Sequence, residues 1–313
     1  MRAAPPAATR AGAPLPSKPM CRLFGMSGGD EPVRATFWLL QAPDSLTVQS
    51  RREPDGAGIG WFDAAGRPRV CKQPIAAYED REFATEARTL TARTFVAHVR
   101  FSSGGALTMP NTHPFERDGR LFAHNGVLGD LPALESELGP DGMRGVGGDT
   151  DSERWFALIT REIAAADGDI AAGIAAATRW IAANLPLLSA NFVMIESRNL
   201  WALRYPDAHE LHVLEREAGG SAGAAPLRHA SSSGHIHAAS DALAHRRAVV
   251  VATEPMDDDP GWRALTSGEL LHVGPRRDVS IQTIIEAPPA HPLTLAELSA
   301  RAASSQADPP AAR

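Results

Sequence analysis

The chain holds two thiols, Cys21 and Cys71, and their surroundings differ. Cys21 follows Met20 directly, where an Ala/Pro-rich leader meets the first apolar segment. Loss of everything before it leaves a cysteine whose own α-amine is free. Such an amine, with a pKa near 7.7–8.0, accepts the thiol proton at neutral pH, so nucleophile and base arrive in one residue. Inside a peptide bond the same nitrogen has no basicity. The alternative for Cys21 taken alone is a small buried hydrophobe on a strand, as most free cysteines are. Cys71 lies in Arg69 to Lys72 with no base indicated beside it.

Other groupings are less telling. Gly25-Met26-Ser27-Gly28-Gly29 fits a serine nucleophile elbow, but the strands and oxyanion loop that should precede such a serine are missing, and a tight glycine turn explains it better. The glycine runs at Gly56 to Gly60 and Gly145 to Gly148 lack the Lys-Ser/Thr of a phosphate loop. His229, His235 and His237 have metal-ligand spacing without a third ligand type nearby, and they read as a mobile surface loop. Asp257-Asp258-Asp259 before Pro260 reads as a solvated turn.

These residues need elements to position them. Cys21 to Met26 reads as a buried strand, Val33 to Leu40 as a helix, and Gly58 to Asp63 with Arg69 to Lys72 as a hairpin. Asp80 to Ala92 reads as a helix. Thr94 to Phe101 and Leu121 to His124 read as central strands, and Asp151 to Ala166 and Ile170 to Ala183 as successive helices. A second run of strands follows at Asn191 to Glu196, Leu200 to Tyr205, His212 to Glu215, Arg247 to Ala252 and Leu270 to Val273. Strands, a helix pair and strands again predict an α+β fold of two mainly antiparallel sheets between helical layers. Residues 1–19 form a Pro-broken leader, 20–286 one folded domain and 287–313 an Ala/Pro-rich tail in which Leu293 to Ala302 has room for a short helix.

Composition agrees with a globular chain of this length. With 27 Gly and 25 Pro in 313 residues it falls below the share that marks low-complexity disorder. A net charge of −6 supplies no general field for phosphate backbones, so nucleic acid is excluded as a partner. Two cysteines make no disulfide framework and fit a reducing compartment. No stretch has the ~18 apolar residues of a membrane helix, and no secretory signal is present, so the sequence reads as cytoplasmic.

Several short segments occur in order after Met20-Cys21: Pro54-Asp55-Gly56-Ala57-Gly58-Ile59-Gly60-Trp61, Ala97-His98-Val99-Arg100, Asn111-Thr112-His113-Pro114-Phe115, Ala123-His124-Asn125-Gly126 and Thr150-Asp151-Ser152-Glu153. Together they resemble the glutaminase domain of class II glutamine amidotransferases, the N-terminal-nucleophile hydrolases with a four-layer αββα sandwich, and above all its stand-alone bacterial form. Thr253-Glu254-Pro255 resembles a Ser-Glu-Pro segment late in that domain. The likeness runs from about Met20 to about Ile285.

That resemblance implies a set of roles. The Cys21 thiolate attacks the side-chain amide of glutamine, ammonia leaves, and water releases the γ-glutamyl thioester. Asn125 and Gly126 supply the oxyanion donors, although Asn-Gly is also an ordinary hairpin pair. Arg100 grips the substrate α-carboxylate with two parallel hydrogen bonds. Asp151 binds the α-ammonium, with a first-turn helix acid as the alternative reading and Asp149 as a rival for the role. His113 lies beside the pocket, whereas His124 is a hydrogen-bonded core residue. Two departures stand out: Phe101-Ser102-Ser103 replaces the family's frequent Trp-Ala-Thr, with Ser103 in place of the Thr hydroxyl, and Ala57 replaces a frequent Trp, widening the pocket. The 19-residue leader is either a propeptide or the product of a miscalled upstream start; Met20 is the expected true start, and its removal then frees Cys21.

No cofactor or metal is implied, and the substrate is a small molecule. The residues leave no room for a second catalytic domain that would consume ammonia. The expected activity is therefore glutamine amide hydrolysis supplying a separate ammonia-using partner protein. Hydrolysis of a γ-glutamyl conjugate is the alternative, and a non-catalytic glutamine-binding relic the second alternative.

Overall fold

The computed structural model describes residues 22–39, 56–74, 88–100, 106–221, 223–230, 236–300 and 302–303. In chain order the strands are β1 (Arg22–Ser27), β2 (Val33–Leu39), β3 (Gly56–Phe62), β4 (Pro68–Pro74), β5 (Arg88–Ala92), β6 (Thr94–Arg100), β7 (Phe115–Arg117) and β8 (Arg120–Leu128). Helices α1 (Leu131–Met143), α2 (Asp151–Ala165) and α3 (Ile170–Asn184) follow. The remaining strands are β9 (Pro186–Ile195), β10 (Leu200–Leu203), β11 (His212–Arg216), β12 (Leu227–Ala230), β13 (Ile236–Ser240), β14 (Ala248–Ala252), β15 (Arg263–Ala264), β16 (Glu269–Val273), β17 (Val279–Thr283) and β18 (His291–Pro292).

The order β15-β11-β14-β1-β6-β3-β4 makes a first seven-stranded sheet, and β17-β16-β10-β9-β8-β7 with β18 beside β9 makes a second. Among the described residues, β18 with β9 is the parallel pair and the other pairings are antiparallel. The inward faces of the two sheets meet through Leu23, Val96, Leu121, Ala123, Val193 and Val251. Helices α1 to α3 cover the other face of the second sheet, with Trp155, Phe156 and Ile174 packed on Phe122 and Phe192. The stacked antiparallel sheets and their helical layer bear out the α+β expectation. Among the described residues the far face of the first sheet is covered by a four-stranded sheet, β12-β13-β2-β5, through Val33, Ala35, Phe37, Ile236 and Ala238.

The strand and hairpin expectations for β1, β3, β4, β6, β8 and the later strands hold, as do the helices α2 and α3. Three readings are corrected. Val33 to Leu39 is a strand rather than a helix: Val33, Ala35 and Phe37 are buried while Arg34 between them is exposed, a period of two. Arg88–Ala92, read as the end of a helix, is a strand paired with β2; 80–87 lie outside the described residues. His229 and His237 are on paired strands, and His229 is buried with its Nε2 2.7 Å from Asp257 Oδ2, so neither the mobile loop nor a wholly solvated Asp257 stands; His235 lies outside the described residues. Ser27 is buried in β1 and Gly29 turns with φ of 74°, which is the glycine-turn reading. Beyond residue 286 the chain adds β18 to β9, and where a short helix is expected from Leu293 it makes the 3-10 turn Leu295–Glu297, opened by the Thr294–Glu297 capping box.

Candidate active site

Period two along β6 places Val96, His98 and Arg100 on the face that meets the second sheet, because Phe95, Ala97 and Val99 pack on the four-stranded sheet. The same rule on β8 sends Leu121 and Ala123, and with them Asn125, towards β6, while Phe122 faces the helices. Arg100 and Asn125 are thus buried, at 5% and 0% exposure, on facing layers. Across the first sheet Arg100 is in register with Gly56, and His98 with Leu23 and Gly58.

The segment before β7 lies against this face. A Cβ on Gly58 would sit 2.1 Å from the His113 carbonyl oxygen, so only glycine admits the Asn111 to Pro114 segment there. Asn111 fixes that segment: its Nδ2 donates to the Ala106 carbonyl at 2.9 Å, and its Oδ1 accepts from Asp149 N at 2.7 Å. Gly148 allows the approach, since its Cβ would be 2.3 Å from Asn111 Oδ1. Glu153 then accepts from Gly147 N and Gly148 N at 3.0 and 2.7 Å. The Gly145 to Gly148 run therefore folds a loop onto the site. Sequence reasoning gave Asn111 and Glu153 no roles; their shared motifs with His113 and Asp151 were the available signal.

His113 and His98 meet in a tilted contact with ring centroids 4.1 Å apart and an interplanar angle of 46°, and Phe115 meets His113 edge-on at 4.6 Å. Burial pushes His98 down to about 3, helped by the Arg100 and His124 charges, and contact with the His124 backbone only partly opposes this. Burial likewise holds His113 well below the ordinary histidine value, with His98, His124, Arg100 and Lys72 adding to it. Both rings are neutral at physiological pH. Neither His113 nitrogen has a hydrogen-bond partner among the described residues.

Asn125 is more unusual. Its Nδ2 and Oδ1 are both buried and have no partner among the described residues. Its register mate Asn191 spends both groups, donating to the His209 carbonyl at 3.1 Å and accepting from Tyr205 N at 2.8 Å. A buried amide left unmade costs about 1–3 kcal/mol, so an Asn125 side chain with no partner among the described residues is suited to receive a ligand. Gly126 beside it is required sterically, because a Cβ there would lie 1.8 Å from the Ser189 carbonyl oxygen.

Asp151 opens α2, with the Thr150 hydroxyl capping Glu153 N at 3.2 Å. Its Oδ2 accepts from Leu128 N at 2.9 Å, and its Oδ1 from Ser152 N at 2.7 Å. Ser152 Oγ in turn meets His124 Nδ1 at 2.9 Å, while His124 Nε2 faces the Ser189 carbonyl at 3.2 Å. His124 is therefore the hydrogen-bonded core residue expected, and Asp151 has the contacts of a first-turn acid tying α2 to the end of β8. Asp149 is exposed. Ala57 packs in the core between the first and four-stranded sheets, away from the Gly56 and Gly58 side, so it does not widen this site. At the other edge Arg22 Nε pairs with Glu254 Oε1 at 3.0 Å and Thr253 N donates to the Leu23 carbonyl at 3.3 Å, which gives the Thr-Glu-Pro segment the work of anchoring β1. Cys21 and Ser103 lie outside the described residues. Among those residues no group of three His, Cys, Asp or Glu side chains is placed to hold a metal ion.

The sequence profile of the class II glutamine amidotransferases matches residues 20–292. The chain belongs to that family. A γ-glutamyl-hercynylcysteine sulfoxide hydrolase of Mycobacterium tuberculosis is 30% identical over 264 residues, 81% of this chain and 93% of that one. A probable glutamine amidotransferase of Saccharomyces cerevisiae is 29% identical over 160 residues, which span 45% of this chain and 44% of that protein. A crystal structure of a predicted glutamine amidotransferase from Pseudomonas aeruginosa superposes with a TM-score of 0.61 at 24% identity, covering 83% of this chain and 99% of that one, a likeness of fold. Class II amidotransferases of the N-terminal-nucleophile type are enzymes, and this chain shares their fold. Among the described residues no helix is long and apolar enough to cross a membrane.

Proposed function

We propose that the chain hydrolyses the side-chain amide of glutamine, with Cys21 as the nucleophile. The observation that supports this most is the buried Asn125 amide with no partner among the described residues, next to Gly126. Cys21 immediately precedes Arg22 at the start of β1 and has the sequence parity of Leu23, whose side chain faces the second sheet. Its α-amine takes the thiol proton, and the thiolate sulfur attacks the amide carbon. The carbonyl electron pair moves to oxygen, where Asn125 Nδ2 and the Gly126 N–H stabilise it. The amine proton passes to the leaving nitrogen, the C–N bond breaks and ammonia departs. Water then adds to the thioester and expels the thiol, leaving glutamate.

Arg100 holds the substrate α-carboxylate, and its guanidinium geometry suits two parallel bonds. Asp151 holds the α-ammonium through carboxylate lone pairs beyond those used by Leu128 and Ser152; Ser103 and His113 line the substrate pocket. This chemistry requires residues 1–19 to be absent from the working enzyme and Met20 to be removed after them, with 20–286 as the catalytic domain before that last trimming and 287–313 as a tail. A reducing cytoplasm suits the free thiol, and released ammonia suits a separate acceptor protein.

A second reading is favoured by one observation, the 30% identity over 93% of a γ-glutamyl-hercynylcysteine sulfoxide hydrolase. On that reading the same residues cleave the γ-glutamyl bond of a conjugated metabolite, and the leaving group is a larger amine. The test is labelling with a glutamine analogue bearing a diazoketone, combined with Cys21→Ala. The expected result is one adduct on Cys21, none on Cys71, and loss of both labelling and turnover in the variant. An adduct on Cys71, or full activity of Cys21→Ala, overturns the proposal. Comparison of glutamine with γ-glutamyl anilides then separates the two substrates.

A further inference from the structure

A second concave site lies at the far end of the first sheet. β6 runs from Thr94, opposite Ser27, to Arg100, so six steps of roughly 3.3 Å put this region about 20 Å from Arg100. Here the turn after β1, the turn before β14 and the β16–β17 hairpin converge around a cavity of about 670 Å³. Two arginine pairs remote in sequence, Arg246-Arg247 and Arg276-Arg277, line it with His245, against Asp30 and Glu31. In a chain of net charge −6 this is a local excess of cations.

The guanidinium groups are only partly spent. Arg246 pairs with Glu31 at 3.2 Å, Arg247 with Glu217 at 2.7 Å, and Asp30 with Arg198. Arg277 Nη1 donates to the Gly28 carbonyl at 3.0 Å, while Arg276 is exposed and has no partner among the described residues. The hairpin loop closes with Arg277 N donating to the Gly274 carbonyl at 2.9 Å and Gly274 N to the Asp278 carbonyl at 2.9 Å. Arg277 sits in that loop at φ 63°, a position that glycine or asparagine fills without strain. Gly29 opposite it adopts φ 74°, which side chains rarely take, and a Cβ there would lie 2.8 Å from Arg277 Cγ and 3.0 Å from the Pro275 carbonyl oxygen. A strained arginine packed on a glycine turn holds its charge at the cavity wall, and backbone strain of this kind collects where a site uses it.

We propose that this cavity binds a small molecule carrying a diphosphate or a comparable phosphate cluster. Planar guanidinium groups match phosphate oxygens in pairs, and four of them from two turns suit several adjacent anionic oxygens better than one carboxylate. The volume is that of an ordinary small-molecule site, larger than a single phosphate needs. This site is independent of the amide chemistry at Arg100 and Asn125.

The test is calorimetric titration of the full chain with sodium pyrophosphate, with sodium sulfate at equal ionic strength as the control. The wild type is expected to show saturable one-to-one binding that sulfate does not reproduce. Arg276→Ala and Arg277→Gly should each weaken it at least tenfold, with glutaminase activity unchanged in both. Arg277→Gly relieves the positive φ and so keeps the fold, which guards the test against a variant that merely unfolds. Absence of saturable pyrophosphate binding, equal binding of sulfate, or less than tenfold weakening in both variants overturns the proposal.

Discussion

Replacing Asn125 by leucine should raise stability and abolish most turnover. The two side chains are close in volume, so little cavity or overpacking results. Asn125 is fully buried with neither amide group partnered among the described residues. Removing two unmet polar groups should therefore recover about 1–3 kcal/mol, or a rise in Tm of about 2–4 °C per kcal/mol for a chain of this size. If Asn125 is the oxyanion donor proposed, the same change costs about 2.7–4 kcal/mol in the barrier, a fall in kcat of roughly a hundred- to a thousandfold. The assay pairs urea unfolding, followed by tryptophan fluorescence, with glutamate release at saturating glutamine. Opposite signs in the two readouts are the signature of an amide kept unpaired for a ligand. Turnover near the wild-type rate, or a loss of stability above about 2 kcal/mol, would refute the reasoning, because either result means that the amide already has a structural partner.

Arg100→Lys keeps the charge but loses the paired geometry, and should lower kcat/KM by about 1–3 kcal/mol, chiefly through KM; unchanged kinetic constants remove Arg100 from the site. His98 is held down to about 3 in the folded protein, against about 6.5 when unfolded, so its contribution is full above about pH 6.5 and is lost as pH falls towards 3. By pH 5 this one group should cost about 2 kcal/mol, and His98→Phe should flatten the acid limb of urea midpoints measured between pH 7.5 and 5. Gly126→Ala places a Cβ 1.8 Å from the Ser189 carbonyl oxygen and should destabilise by about 3 kcal/mol or more. Gly147→Ala, with nothing within 4 Å of its Cβ, should stay within about 0.5 kcal/mol in the same urea titration.

The central strands were legible because their pattern had one meaning. β6 and β8 carry His98, Arg100, His124 and Asn125 among Val, Phe and Leu, and such polar residues fit a buried strand only where a site or a network uses them. β2 was misread because Trp38, Leu39 and Leu40 continue the apolar run past the alternation of Val33, Ala35 and Phe37, and a short apolar run does not by itself separate strand from helix. Helix α1 went unread since Gly139, at φ 63°, and Pro140 interrupt it, leaving Leu134 and Leu138 as a short apolar signal. The His229–Asp257 contact joins two segments distant in sequence, so no local pattern announces it. The fit of glycines 58, 126 and 148 against carbonyl and amide oxygens is a property of packed layers, invisible before the layers are known.

The arrangement around Arg100 makes physical sense as one electrostatic design. Arg100 brings a fixed positive charge to a buried layer, where a protonated neighbour would repel it and compete for the same carboxylate. Burial removes that competition by keeping His98 and His113 neutral, and their tilted, edge-on packing with Phe115 surrounds the charge with aromatic, water-poor contacts. In the same water-poor layer an amide donor at Asn125 gains strength, because no solvent screens it and no acceptor among the described residues occupies it. Under the proposed function, an amide unpaired among the described residues and two histidines kept uncharged would sharpen recognition of a substrate with a carboxylate at one end and an amide carbonyl at the other. Apolar contacts on three levels, from the four-stranded sheet to the helices, offset the cost of burying those groups.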